Sequence, residues 1–214
     1  MRSTAQNSQL KFWTGEFGNN YINRNLNTAR KLDAGVRAYQ KIFGPVNISS
    51  VLEVGSNIGL NLAVINKIFK GKVKLFAVEP NKKAFSYLTK RKDMKLTDAW
   101  VSDAAHIPLE NNSIDLVFTS GVLIHIAPRN LLAATKEIVR VSGHYVLCIE
   151  YFSHKPVDVP YRNYNGVLFK RDFGAYYLDH FPNLKVLSYG FLWQRDLPIF
   201  DNLNWWLFEK KHRN

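Results

Sequence analysis

Two carboxylates and a glycine loop stand at spacings that could hold a nucleoside. Glu53 lies in a short apolar run, 51–54, which is followed by Gly55, Ser56, Asn57, Ile58, Gly59, Leu60 and Asn61. A second apolar run, 73–78, closes on Glu79 and Pro80. A strand, a glycine turn, a helix and a second strand ending in a carboxylate is how an α/β fold holds a nucleoside cofactor.

The loop itself narrows the choice. A dinucleotide fingerprint needs Gly-x-Gly-x-x-Gly, so that the backbone can approach a pyrophosphate. Here the three positions are Gly55, Asn57 and Leu60, and two of them fail. A phosphate loop needs Lys-Ser/Thr after its glycines, and Leu60-Asn61 does not supply it. The loop permits close approach without being built around a diphosphate.

The elements that must position these residues follow from periodicity. Leu32, Val36, Tyr39 and Phe43 recur at helical spacing, which predicts a helix over 28–43 stopped by Gly44-Pro45. Strands are expected at 51–54, 73–78, 115–119 and 145–150, with a short one inside 94–101. Helices are expected at 60–69, 81–91 and 130–141. Strand and helix in turn imply a parallel sheet with helices on both faces. The runs 185–189 and 204–209 lack a helical period between them and read as an antiparallel pair at the far edge. The expectation is an α/β, Rossmann-like, seven-stranded, mostly parallel sheet. Residues 1–10 read as loosely docked. The aromatics Phe12, Trp13, Phe17 and Tyr21 are too apolar for a free tail and should pack on the body as a lid. The segment 151–180 reads as long irregular chain, which in a compact domain tends to be functional.

Composition sets outer bounds. The chain has 214 residues, 46% hydrophobic and 21% charged, as expected of one domain with a sizeable core. No apolar run approaches the ~20 residues that span a bilayer, and the polar N-terminus lacks a leader's apolar region. A lone Cys148 inside an apolar run reads as a buried thiol in a reducing cytoplasm. Net charge is +12, but the basic residues are scattered and form no stripe interleaved with aromatics, so nucleic acid is not the expected partner. No metal-ligand set is called for, and oligomeric state is not legible.

Glu53-x-Gly55-x-Asn57-x-Gly59 resembles the first motif of class I S-adenosylmethionine-dependent methyltransferases. The resemblance implies that the loop, with Glu53, Ser56 and Asn61, holds the methionine end of the cofactor. It implies that Glu79 takes both ribose hydroxyls beside Pro80. It implies that Asp103 accepts the adenine amine, with Ala104 against the ring. Thr119 and Ser120 would border the methyl group. No Asn/Asp-Pro-Pro-aromatic element follows the fourth strand, which argues against base-amino methylation. The single cysteine excludes a paired-cysteine mechanism.

Further strings resemble a narrower family, the pseudaminic-acid-biosynthesis-associated methylases. They are Phe12-Trp13-Thr14-Gly15-Glu16-Phe17-Gly18 with Tyr21 and Arg24-Asn25, the loop 55–62, the stretch 118–126, Glu150-Tyr151-Phe152, Val159-Pro160-Tyr161-Arg162, 168–173, Tyr189-Gly190-Phe191 and Arg195-Asp196. The chain departs from that pattern at Ser120, where Lys is expected, and at Asn163, where Gly is expected. The resulting division is a lid and helix over 1–44 and a cofactor-binding domain over 45–214, with a cap insertion at about 151–182.

Arg162, Lys170, Arg171 and Arg195 fall on the segments expected to cap the cofactor. Arginine recognises carboxylate or phosphate through two parallel hydrogen bonds. With Tyr21 and Arg24 these make a substrate-binding set for an anionic acceptor, such as an acidic or nucleotide-linked sugar. Asp172 and Asp196 would orient their neighbouring arginines. His125 is the first choice of general base, because imidazole titrates near neutrality; Glu150 and Tyr151 come next. Three functions stay open: a methyltransferase of a hydroxyl or amine on a small anionic molecule, one acting on RNA or another polymer, and a non-catalytic cofactor-binding protein.

Overall fold

In the computed structural model, which describes residues 8–23, 29–44, 46–197 and 200–211, the two periodicities of the sequence become two packed layers around one sheet. Helices α1 (Ser8–Thr14), α2 (Glu16–Asn23) and α3 (Ala29–Phe43) precede the first strand. Then come β1 (Ser50–Val54), α4 (Leu60–Ile68), β2 (Lys74–Val78), α5 (Lys82–Thr89), β3 (Asp98–Trp100) and β4 (Ile114–Ser120). A single 3₁₀ turn, Leu123–His125, leads to α6 (Pro128–Val141) and β5 (Ser142–Glu150). The chain closes with β6 (Val157–Asp158), β7 (Phe169–Lys170), α7 (Phe173–His180), β8 (Leu184–Leu192) and β9 (Leu203–Lys210).

The main sheet has the order β3-β2-β1-β4-β5-β9-β8. Its first five strands are parallel, and β9 lies antiparallel between β5 and β8. The seven-stranded sheet with an antiparallel edge pair is the architecture the sequence patterns predicted. Alternation along β1 sorts the core: Val51 packs with Tyr39 of α3 and Leu62 of α4, while Leu52 and Val54 pack with Leu131 and Ile138 of α6. The central strands are buried on both faces, which explains why they read as continuous apolar runs.

Two expectations are corrected. The segment read as irregular contains the β6–β7 pair and α7. Asp172 caps α7 by accepting from the Ala175 amide at 2.9 Å, and Phe173 and Tyr177, one turn apart, are buried against the sheet. The loose start over 1–10 is corrected from Ser8 onward by α1. Residues 1–7, Arg24, Thr28, Pro45 and 212–214 lie outside the described residues.

The N-terminal helices are fastened to the sheet's C-terminal rim. Asn81 accepts from the Lys83 and Ala84 amides to cap α5, and its Nδ2 donates to the Trp13 carbonyl at 2.9 Å. Gly18 permits this contact, since a Cβ there would lie 1.7 Å from the Trp13 carbonyl oxygen. Phe12 and Phe17 reach across to Tyr164 and Tyr161, with ring centroids 4.9 and 6.0 Å apart.

Candidate active site

A cavity of about 680 Å³ opens over the C-terminal ends of β1, β2 and β4, the place where open parallel sheets present ligands. Glu53, near the end of β1, is 1% exposed. Its Oε1 accepts from Asn61 Nδ2 at 2.6 Å, and its Oε2 is buried with no hydrogen-bond partner among the described residues. Burial pushes this carboxyl up to about 8; the Asn61 bond opposes the shift and the charge of Glu79 adds to it.

The loop after β1 turns sharply. Gly55 has φ 77°, and a Cβ there would sit 2.6 Å from Val122 Cγ2. The Gly55 and Ser56 amides both donate to the Val78 carbonyl, tying the loop to β2. Glu79 then locks the far side. Its Oε2 accepts from the Asn57 amide at 2.6 Å and its Oε1 from the Asn81 amide at 2.7 Å. Each oxygen keeps a second lone-pair site, and the side chain lines the cavity. Burial pushes Glu79 up to about 7 against these two bonds.

Of the cofactor residues expected from sequence, Glu53, Gly55, Ser56, Asn57, Asn61, Glu79, Pro80, Asp103, Ala104 and Ser120 line this cavity. Asp103 Oδ1 also accepts from the Ala105 amide at 2.8 Å, which fixes the carboxylate. Two do not line it. Gly59 packs against α5, where a Cβ would meet Leu88 Cδ1 at 2.4 Å. Thr119 is fully buried within β4.

The three candidate bases separate. Glu150 is fully buried and does not line the cavity. It accepts from the Val122, Leu123 and Ile124 amides at 3.1, 3.0 and 3.4 Å, and so holds the 3₁₀ turn. Burial pushes it up to about 7. Tyr151 lines the cavity, but its hydroxyl donates to Asp201 Oδ2 at 2.5 Å, and burial followed by that carboxylate raises its pKa, keeping it protonated. His125 also lines the cavity. Its Nδ1 bonds the Val167 carbonyl at 2.7 Å; a carbonyl can only accept, so Nδ1 carries the proton and the neutral ring keeps its lone pair on Nε2. Burial lowers this imidazole to about 4. The Trp13 and Tyr161 rings pack on it with centroids at 4.3 and 5.5 Å.

The expected substrate cations do not converge. Arg162 is exposed on a left-handed turn (φ 51°) with its guanidinium over the Tyr161 ring. Arg171 lies over Tyr176, and Arg195 is exposed. Lys170 lies 4.7 Å from the centre of the Tyr151 ring. Among the described residues no Lys or Arg lines the cavity. Asp172 caps α7 and Asp196 faces Lys41, so neither orients its neighbouring arginine toward the site. Asn163 has φ 68°, a conformation that glycine prefers and asparagine tolerates, so its departure from the family pattern concerns a turn. Tyr21 lines the cavity; Arg24 lies outside the described residues.

Sequence reading passed over Asn81, Tyr161 and Asp201. An Asn directly after Glu79-Pro80 at a helix start is a cap signal and could have found the first. Tyr161 stood inside a quoted string, beside the arginine chosen instead. Nothing local marks Asp201.

Residues 52–147 match the family described as a methyltransferase domain. No curated protein sequence is detectably similar to the chain. Solved structures with the same fold include a SAM-dependent methyltransferase from Leishmania major, 14% identical, covering 95% of this chain and 82% of that one at TM-score 0.72. A Burkholderia thailandensis 1,6-didemethyltoxoflavin-N1-methyltransferase with bound S-adenosylhomocysteine is 10% identical, with 99% and 93% coverage at TM-score 0.71. Magnesium protoporphyrin IX methyltransferase from Synechocystis PCC 6803 with bound SAM is 9% identical, with 98% and 100% coverage at TM-score 0.70. The cradle fits that cofactor: Glu53 Oε2 and Asn57 Oδ1 are buried acceptors without hydrogen-bond partners among the described residues, as an ammonium or hydroxyl donor would require. Residues 52–147 thus match a methyltransferase domain, and the chain has the fold of SAM-dependent methyltransferases.

Proposed function

We propose that the chain methylates a hydroxyl or amine of a small molecule held between the glycine-loop cradle and the aromatic N-terminal helices. The observation that carries this reading is Glu79, buried, pinned by two amides and lining the cavity beside the Gly55 turn. Its free lone-pair sites suit a vicinal diol, Glu53 suits an ammonium, and Asp103 suits an exocyclic amine. When bound, the cofactor supplies a methyl group already activated on sulfonium. The protein's remaining tasks are to align a nucleophile and exclude water.

His125 supports the acceptor side of this reading. Neutral at physiological pH, it offers Nε2 to a proton that becomes acidic only as the new bond forms. A base lowered to about 4 is too weak to deprotonate an alkylammonium beforehand, so an amine acceptor would have to bind neutral. The anionic, sugar-type acceptor implied by sequence resemblance rests, among the described cations, on Lys170 beside Tyr151. The Burkholderia and Synechocystis neighbours are named for small-molecule acceptors. We place the reaction in the cytoplasm on the strength of one buried, unpaired cysteine. Among the described residues no helix is long and apolar enough to cross a membrane.

The test is transfer of labelled methyl from S-adenosylmethionine to a panel of small hydroxyl and amine compounds, with RNA as a further arm. Label on a small molecule, lost in His125→Gln, is expected. Label on RNA alone would overturn the small-molecule reading.

A further inference from the structure

The acceptor end of the cavity has a chemical bias. Outside the cofactor cradle the cavity is lined by one carboxylate, Asp201, which accepts from the Tyr151 hydroxyl, and among the described residues no lysine or arginine lines it. Beyond the cofactor cradle the wall is ring-rich: Trp13, Tyr21, Tyr151 and Tyr161 all line it. Trp13 and Tyr161 belong to distant segments, yet both pack on the His125 ring. The Trp13 indole N–H is buried with no partner among the described residues, so a ligand oxygen could satisfy it. The His125 Nδ1–H is committed to the Val167 carbonyl, which leaves Nε2 as the acceptor of a ring that lines the cavity.

We infer that the methyl acceptor is an uncharged aromatic compound bearing a hydroxyl, stacked on the Trp13 and Tyr161 rings with its O–H donating to His125 Nε2. This rests on the methyltransferase reading above and adds the substrate class. A lining without lysine or arginine among the described residues offers a carboxylate or phosphate no ion pair, whereas aromatic faces favour a planar ring in offset or edge contact. The balance is simple. The phenolic oxygen forms a bond to the methyl carbon as the carbon–sulfur bond breaks and its electron pair returns to sulfur. The phenolic proton passes to Nε2, and the resulting imidazolium returns it to solvent.

The experiment uses the full chain saturated with S-adenosylhomocysteine. Four probes are titrated calorimetrically: 2-naphthol, 2-naphthoate, decahydro-2-naphthol and 2-methoxynaphthalene. The inference expects 2-naphthol to bind at least tenfold more tightly than the carboxylate or the saturated alcohol, and about fivefold more tightly than the methyl ether. Trp13→Ala and Tyr161→Ala should each weaken 2-naphthol at least fivefold, and Trp13→Phe should restore most of the loss; melting curves identify a variant that fails to fold. Naphthoate binding as tightly as naphthol, equal binding of the saturated alcohol, or no binding of any probe at millimolar concentration overturns the inference. Failure of S-adenosylhomocysteine itself to bind is a different result and sinks the methyltransferase reading beneath it.

Discussion

At the cofactor end of the cavity, Glu53 and Glu79 hang from the ends of adjacent parallel strands. The Asn61 side chain on α4 holds the first, and the Asn57 and Asn81 amides hold the second. At the acceptor end, Trp13, His125 and Tyr161 come from three segments far apart in the chain, and ring contacts bring them together. The first site is local and polar, assembled by strand register and loop turns. The second is tertiary and aromatic, assembled by packing. A local polar site should break sharply when one atom is misplaced, while a packed aromatic site should lose affinity in steps as rings are removed.

The largest effect is expected from crowding the local site. Gly55→Val forces a branched side chain into φ 77° and against Val122. S-adenosylhomocysteine affinity should fall by about 100-fold or more, measured by calorimetry, because strain and clash both act on the cradle. An affinity within threefold of wild type would show that the turn does not shape the site.

Next is the anchor between the two ends. Glu150→Ala strips acceptors from three amides of the 3₁₀ turn that carries His125. A loss of about 2–4 kcal/mol is expected in urea unfolding, following the cost of unsatisfied buried amides. Glu150→Gln should lose less and leave the pH profile of methyl transfer unshifted. A shifted profile would return Glu150 to the role of base.

The cradle carboxylates set a pH dependence whose sign can be worked out. Glu53 and Glu79 sit at about 8 and about 7 in the folded chain, both above the unfolded value of 4.5. The cofactor-free fold therefore holds protons that the unfolded chain has released. Stability from this source is complete below about pH 4.5 and is lost as pH rises through 7 and 8. The melting temperature of the cofactor-free protein should fall between pH 5 and pH 9, and less steeply in Glu53→Gln. S-adenosylhomocysteine, whose ammonium would pair with ionised Glu53, should bind more tightly across the same rise. Affinity that weakens as pH rises would contradict that pairing.

The smallest effect is expected outside both ends. Arg162→Ala and Arg195→Ala remove exposed side chains that do not line the cavity. Stability should change by about 0.5 kcal/mol or less, and KM for a methylated acceptor by less than twofold. A large rise in KM for either would restore an anion-reading cap.

The same contrast explains what the sequence disclosed. Strands buried on both faces leave continuous apolar runs, and Tyr39 and Phe43 mark α3 by helical period, so the sheet and its edge pair were legible. Glu79 was legible because strand–turn–helix order fixes where a strand-end carboxylate points. Helix α7 was missed because its eight residues are too few for a period, and its cap, Asp172, was read as an arginine partner. The three amides that Glu150 accepts from were not legible, because position at a strand end does not tell what a carboxylate will meet. That no described lysine or arginine lines the cavity was not legible, because charge along a sequence carries no direction. Trp13 was placed in a lid, but its meeting with His125 and Tyr161 depends on tertiary packing that no local pattern encodes.

The most direct test of the account is the affinity of S-adenosylhomocysteine for the wild-type chain and for Glu79→Ala, measured by titration calorimetry at pH 8. The account predicts binding to the wild type and a loss of about 100-fold or more in the variant, since two hydrogen bonds to a charged acceptor are removed together. Equal affinity in the two proteins would contradict the assignment of Glu79 to the cofactor's ribose.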